Sequence, residues 1–142
     1  MRAAAPFLVL LVAACAASRP QTAQELREAV VPSTWDRVEI ARPHREVVAS
    51  LQKNAQKCLN VVVKGVEYRS TVVSSARRAE LHLERRDGAA GYYVFVADVV
   101  PSSKGTRMQL HFVNNGYDSL VRAVIGWSKG VSQNCPDLRK GR

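Results

Sequence analysis

Three stretches decide the fold: Ala79-Glu80-Leu81-His82-Leu83-Glu84, Gly91-Tyr92-Tyr93-Val94-Phe95-Val96-Ala97-Asp98-Val99-Val100, and Met108-Gln109-Leu110-His111-Phe112. In the first and third, apolar and polar residues alternate, the two-residue period of a strand with one wet face. The second is apolar on both faces and reads as a central strand. Asp87-Gly88 supplies the first turn, and Pro101 followed by Ser102-Ser103-Lys104-Gly105 supplies the second. The pattern predicts an antiparallel meander of three strands.

Outward from the meander the period changes to that of a helix. Before it, Val47, Val48, Leu51, Ala55, Cys58 and Leu59 recur at intervals of three and four, opposite Arg45, Glu46, Gln52, Lys53, Gln56 and Lys57. This helix begins near Pro43, a residue tolerated in a first turn, and stops near Asn60. After the meander, Leu120, Val121, Val124, Ile125 and Trp127 give a second helix over 118–129, with Asp118 or Asn115 as its cap and Gly130 as its end. Residues 61–76 are rich in β-branched side chains but broken by polar ones, and read as an irregular insertion with at most a fourth irregular strand. The predicted fold is α+β, in the order α-β-β-β-α, with both helices side by side on one face of a three-stranded sheet. The two-sided apolar central strand predicts that the other face is partly covered, by the insertion or by a partner.

At the amino terminus, Arg2 precedes an apolar run containing Pro6, Phe7, Leu8, Val9, Leu10 and Leu11, the layout of a secretory signal. The run is too short to cross a hydrocarbon core, which needs roughly twenty residues. It ends in Val12-Ala13-Ala14-Cys15, which resembles the lipobox of bacterial lipoprotein precursors. The resemblance covers only the beginning of the chain. It implies removal of residues 1–14, lipidation of Cys15, and, with Ala16 following the cysteine in place of Asp, sorting to the outer membrane of a Gram-negative envelope, on the periplasmic side. An ordinary signal cut after Ala14, Ala16 or Ala17 is the competing reading. Residues 15–34 then read as a lipidated tether reaching about 25 Å as a flexible coil, and residues 35–142 as one domain.

If Cys15 carries lipid, Cys58 and Cys135 are the remaining thiols of an exported chain, and an even pair in that compartment predicts a disulfide. Bridged α-carbons lie within about 7 Å, so the bond predicts that the two helix exits are close. An odd number of strands between the helices gives that arrangement.

The chemistry-bearing residues form no familiar motif. The sequence has no H-E-x-x-H, no phosphate loop and no cysteine quartet, and its G-x-S-x-G string, Gly126 to Gly130, falls in the last turn and end of the second predicted helix, not at the strand-to-helix turn that such a nucleophile requires. Glu80, His82, Glu84 and His111 share the wet face, but a central strand between them separates the two histidines by about 10 Å. They read as solvated surface, with no catalytic residue, no metal and no cofactor assigned. Asp98 is expected to pair with Arg107 across strands, and His44 to lie on the surface at a helix start. The formal charge is +9, which favours anionic partners such as phospholipid head groups, lipopolysaccharide or acidic wall polymers. Its local concentrations are Arg77-Arg78, Arg85-Arg86 and the tail Arg139, Lys140, Arg142. Nucleic acid is a poor partner for an exported chain without an aromatic-rich strand motif. These features predict a lipid-anchored, non-enzymatic binding or envelope-assembly accessory. An anionic-ligand module built on the arginine pairs is the alternative, and a small hydrolase or metal enzyme using His82 and His111 a remote third.

Overall fold

Among the described residues the sheet has six strands where three were expected, and three α-helices accompany it in place of two. The computed structural model describes residues 19–29, 35–88 and 90–141. In chain order these form α1 (Ala23–Ala29), β1 (Trp35–Ile40), α2 (His44–Cys58), β2 (Val61–Val63), β3 (Val66–Ser74), β4 (Ala79–Asp87), β5 (Ala90–Ser102), β6 (Gly105–Phe112) and α3 (Asp118–Lys129). The strands are antiparallel in the spatial order β1-β6-β5-β4-β3-β2. The meander β4-β5-β6 and helices α2 and α3 stand where the residue periods put them.

The three additional strands have separate physical origins. β1 pairs with β6 from Trp35 opposite His111 to Ile40 opposite Thr106, a partnership across some seventy intervening residues that no local pattern announces. β2 and β3 form a hairpin closed by Lys64 and Gly65, both at positive φ. β3 is regular: Val66, Tyr68 and Val72 face the helices while Glu67, Arg69, Thr71 and Val73 face away, with the serines at Ser70 and Ser74 masking the alternation.

Helices α2 and α3 lie on one sheet face, over a core that includes Leu51, Leu81, Leu83, Phe95, Leu110, Leu120 and Trp127. Packing this set removes water from large apolar side chains, each contributing roughly 1.5–3 kcal/mol. α2 starts at Pro43 without a side-chain cap, the Pro43 carbonyl accepting from the amides of Glu46 and Val47. At α3 neither predicted residue caps: the side chain of Asn114 accepts from Gly116 N instead, over a short 3-10 turn that leads into the helix. Gly130 ends α3 in the left-handed conformation that lets its amide satisfy the last carbonyls.

The disulfide joins Cys58 to Cys135, with α-carbons 5.1 Å apart. The route to it differs from the expectation. Four long strands, β3 to β6, separate the helices, so α3 runs antiparallel to α2: Arg42, just before α2, donates to the carbonyls of Trp127 and Ser128 at the exit of α3. The helix exits are therefore at opposite ends. Residues 131–135 run back along α3, where Trp127 Nε1 donates to the Asn134 carbonyl and Asp137 N donates to Ser119 Oγ at the start of that helix. Five extended residues cover about 17 Å, close to the roughly 18 Å length of a twelve-residue helix.

The tail then docks on the helix-covered face of the sheet, at β3 and β4. Tyr68 donates from its hydroxyl to the Leu138 carbonyl, Arg85 Nη1 donates to the Gly141 carbonyl at 2.6 Å, and Leu138 is buried. Gly141 packs so closely that a β-carbon there would meet the Tyr117 ring at 2.4 Å. Gly141→Ala should lower stability by about 1–3 kcal/mol through this clash. Equilibrium denaturation checks it; an unchanged midpoint would mean that the tail is not seated on Tyr117.

Candidate functional site

The face of the sheet away from α2 and α3 carries the residues with chemical potential. The registers put Glu80 beside Asp98, and His82 and His111 on either side of Val96. β5 thus lies between the histidines, two strand spacings apart at about 10 Å. A bulge after Leu83 leaves Val94 as the extra residue of β5, and the Tyr93 amide turns to donate to the Pro20 carbonyl at 2.8 Å. That bond draws the amino-terminal segment over the face.

α1 is what covers it. Its first turn is built by Thr22-Ala23-Gln24-Glu25: Thr22 Oγ1 accepts from Glu25 N, and Glu25 accepts from Gln21 N. Leu26 is 1% exposed, and the neighbouring Arg27 reaches the acids of β4 and β5. Arg27 binds Asp98 through two nitrogens, Nη2 at 2.6 Å and Nε at 2.9 Å, and donates from Nη2 to Glu80 Oε1. Arg78 Nη2 approaches the same carboxylates at 2.8 Å from Glu80 and 3.0 Å from Asp98. His82 Nε2 lies 2.9 Å from Glu80 Oε2, and His111 Nε2 lies 3.4 Å from Asp98 Oδ2 without hydrogen-bond geometry.

The electrostatics follow from this packing. Burial opposes ionisation of Asp98, but His111, Arg27 and Arg78 outweigh it and hold the carboxyl far below the usual carboxylate range. Asp98 does not pair with Arg107, contrary to the expectation. Gln109 is opposite Asp98, while Arg107 is opposite Val100 and pairs with Glu39 of β1 at 2.6 Å. Among the described residues, no three His, Cys, Asp or Glu side chains are placed to share a metal ion. Guanidinium groups occupy the positions around Glu80 and Asp98 that a cation would take.

The predicted anionic-ligand residues are not brought together. Arg78 belongs to the cluster just described. Arg85 faces the core, 9% exposed, and serves the Gly141 carbonyl and Asp87. Its neighbour Arg86 is on the opposite face with Glu84. Arg139 pairs with Asp137. Arg77 and Lys140 are exposed and make no ion pair among the described residues, and Arg142, like Cys15, lies outside those residues. His44 is half-buried, its Nε2 3.2 Å from the Val99 carbonyl. Sequence reasoning missed Arg27, although Thr-x-x-Glu at Thr22 was a legible helix start.

One surface was not anticipated. β2 pairs only with Val66, Glu67 and Tyr68, so β3 beyond Tyr68 is an edge. Ser70 N turns outward, to Asn60 Oδ1 at 2.8 Å. By antiparallel alternation Val72 and Ser74 turn their N–H and C=O groups the same way. Two shallow cavities of about 360 and 380 Å³ lie along this edge beside α2. Val48, Gln52, Ala55 and Gln56 line their helix side.

Comparison with protein-family models, with curated proteins and with solved structures found no match.

Proposed function

We propose that the protein is a lipid-anchored accessory of a bacterial envelope, a non-enzymatic binding or assembly module held through Cys15 at the periplasmic side of the outer membrane. The observation that carries the reading is Val12-Ala13-Ala14-Cys15. The pairing of Cys58 with Cys135 supports it, because it leaves Cys15 as the remaining cysteine and suits an oxidising compartment. A second support is the engagement of Glu80, Asp98 and His82 with one another and with Arg27 and Arg78, which gives these groups a packing role.

On this reading the leash is short. The first described residue, Arg19, already has its guanidinium over the Tyr92 ring at 4.7 Å. Four residue steps from Cys15 span at most about 14 Å, so the β4-β5 hairpin end of the sheet is held near the lipid head groups. An anionic-ligand module built on the arginine pairs is not favoured, because Arg78, Arg85, Arg86 and Arg139 are each engaged by acids or a carbonyl within the fold.

Cell fractionation tests the anchor. The wild-type protein should remain with membranes through salt washing and leave with detergent, since acyl chains contribute roughly 0.8 kcal/mol per buried methylene. Cys15→Ala should abolish processing and acylation at that position. A wild-type protein recovered in the soluble fraction, or a membrane-held mature form of the variant, would contradict the proposal.

A further inference from the structure

We infer that the open half of β3, with the groove between it and α2, receives an extended acidic segment of a partner protein as an added strand. The inference rests on the binding-module reading above and specifies its surface. Natural sheet edges are usually guarded by charge, proline or a bulge. Here the edge reads Ser70-Thr71-Val72-Val73-Ser74, uncharged and β-branched, with Val73 54% exposed. Such an edge offers backbone hydrogen bonds to an incoming strand, and adjacent pockets take alternate side chains. The two cavities beside α2 supply those pockets, and their floors include Val48, Ala55 and Val72.

Charge selects the occupant. No acidic residue lines either cavity, while Arg45 lines the one at the Ser74 end and Arg77 follows it in the exposed turn. Neither arginine has an ion-pair partner among the described residues. A second copy of this chain would bring the same arginines to the seam twice and repel. The chain's own tail is held elsewhere, by Cys58, Tyr68 and Arg85. On the lipoprotein reading only four residues precede Arg19, held at its other end by lipid. An acidic, alternating segment of another protein satisfies both the edge and the cations.

The test uses the mature, full-length protein in detergent micelles with two capped octapeptides, one alternating valine with glutamate and one alternating valine with lysine. The expected result is binding of the glutamate peptide with a dissociation constant below about 1 mM, slowed amide exchange at Val72 and Ser74, and no binding of the lysine peptide. Arg45→Glu combined with Arg77→Glu, both exposed positions, should weaken the glutamate peptide about tenfold or more and admit the lysine peptide. Absence of glutamate-peptide binding, equal binding of both peptides, or unchanged affinity in the double variant would overturn the proposal. So would protection of the same amides by self-association without peptide. Because the readout is local to β3, its failure in a protein shown to carry lipid would leave the anchor intact and remove only this surface.

Discussion

Cys135→Ser should destabilise the protein by about 3 to 4.5 kcal/mol, and a reduced wild-type protein should lose the same amount. The bonded cysteines are 77 positions apart in sequence, and closing a loop of that size in the unfolded chain is worth up to about 4.5 kcal/mol in the loop-entropy account. For a domain of this length the change corresponds to roughly 12–18 °C in melting temperature. The loss should have a local signature as well. The tail after Gly130 has no helix of its own until a short turn at Leu138–Lys140, so its attachment depends on Cys135, on Leu138 in the core and on the carbonyl contacts with Tyr68 and Arg85. Hydrogen exchange should therefore accelerate over residues 131–141 first. A destabilisation below about 1 kcal/mol would mean that those contacts alone hold the tail.

Asp98→Ala should cost about 2–3 kcal/mol and release α1 from the sheet. Breaking a buried ion pair typically costs 3–5 kcal/mol because the abandoned partner stays unpaired; here Glu80 remains to receive Arg27 and Arg78, which reduces the loss. The Asp98 side chain is 12% exposed, so solvent compensates little. The same residue contributes to the acid sensitivity of the fold. Its carboxyl is depressed in the folded protein despite burial, so its contribution is complete above the unfolded value near 4 and disappears as pH falls below it. Wild-type stability should decline below about pH 4, and Asp98→Ala should lack that part of the decline. Limited proteolysis within Ala23–Ala29 and denaturation between pH 3 and 7 measure both effects. A variant as stable as wild type, with α1 still protected, would show that Leu26 and Pro20 suffice to hold the segment.

What the sequence made legible was local. α2 and α3 announce themselves because Val47, Leu51, Ala55 and Cys58, and Leu120, Val124 and Trp127, repeat with the helical period. β4 and β6 are equally plain because their apolar and polar residues alternate, and β5 because its apolar run is continuous between two short turns. The rest required information from distant positions. β1 has charges at Asp36, Arg37 and Glu39, and becomes a strand only beside β6. The β2-β3 turn carries Lys64 where an asparagine or aspartate would have signalled positive φ. Without that turn the segment reads as irregular, and the parity of the connections comes out wrong.

The site shows the same division. The cysteine pair follows from compartment and number, yet its geometry depends on a tail that doubles back along α3. Arg85 and Arg86 are adjacent in sequence, but a strand sends neighbours to opposite faces, one into the core with Gly141 and one to Glu84. Asp98 was visible as an unusual acid in an apolar strand. Its partner was not Arg107, two register positions away, but Arg27, in a helix that the composition of residues 15–34 suggested was tether. The Thr22 to Glu25 capping pair was the available signal of a helix start; Leu26 and Arg27 place that helix against the face whose two-sided apolar strand called for a cover, a cover expected from residues 61–76 or a partner and supplied instead by α1.

The mass of the intact mature protein, taken from a detergent extract of the envelope, tests the central claim most directly. The account predicts a chain beginning at Cys15, heavier than its residues by a diacylglyceryl group and an amide-linked acyl chain, with Cys58 and Cys135 oxidised. A chain beginning with an unmodified amine, at Cys15 or beyond it, would contradict it.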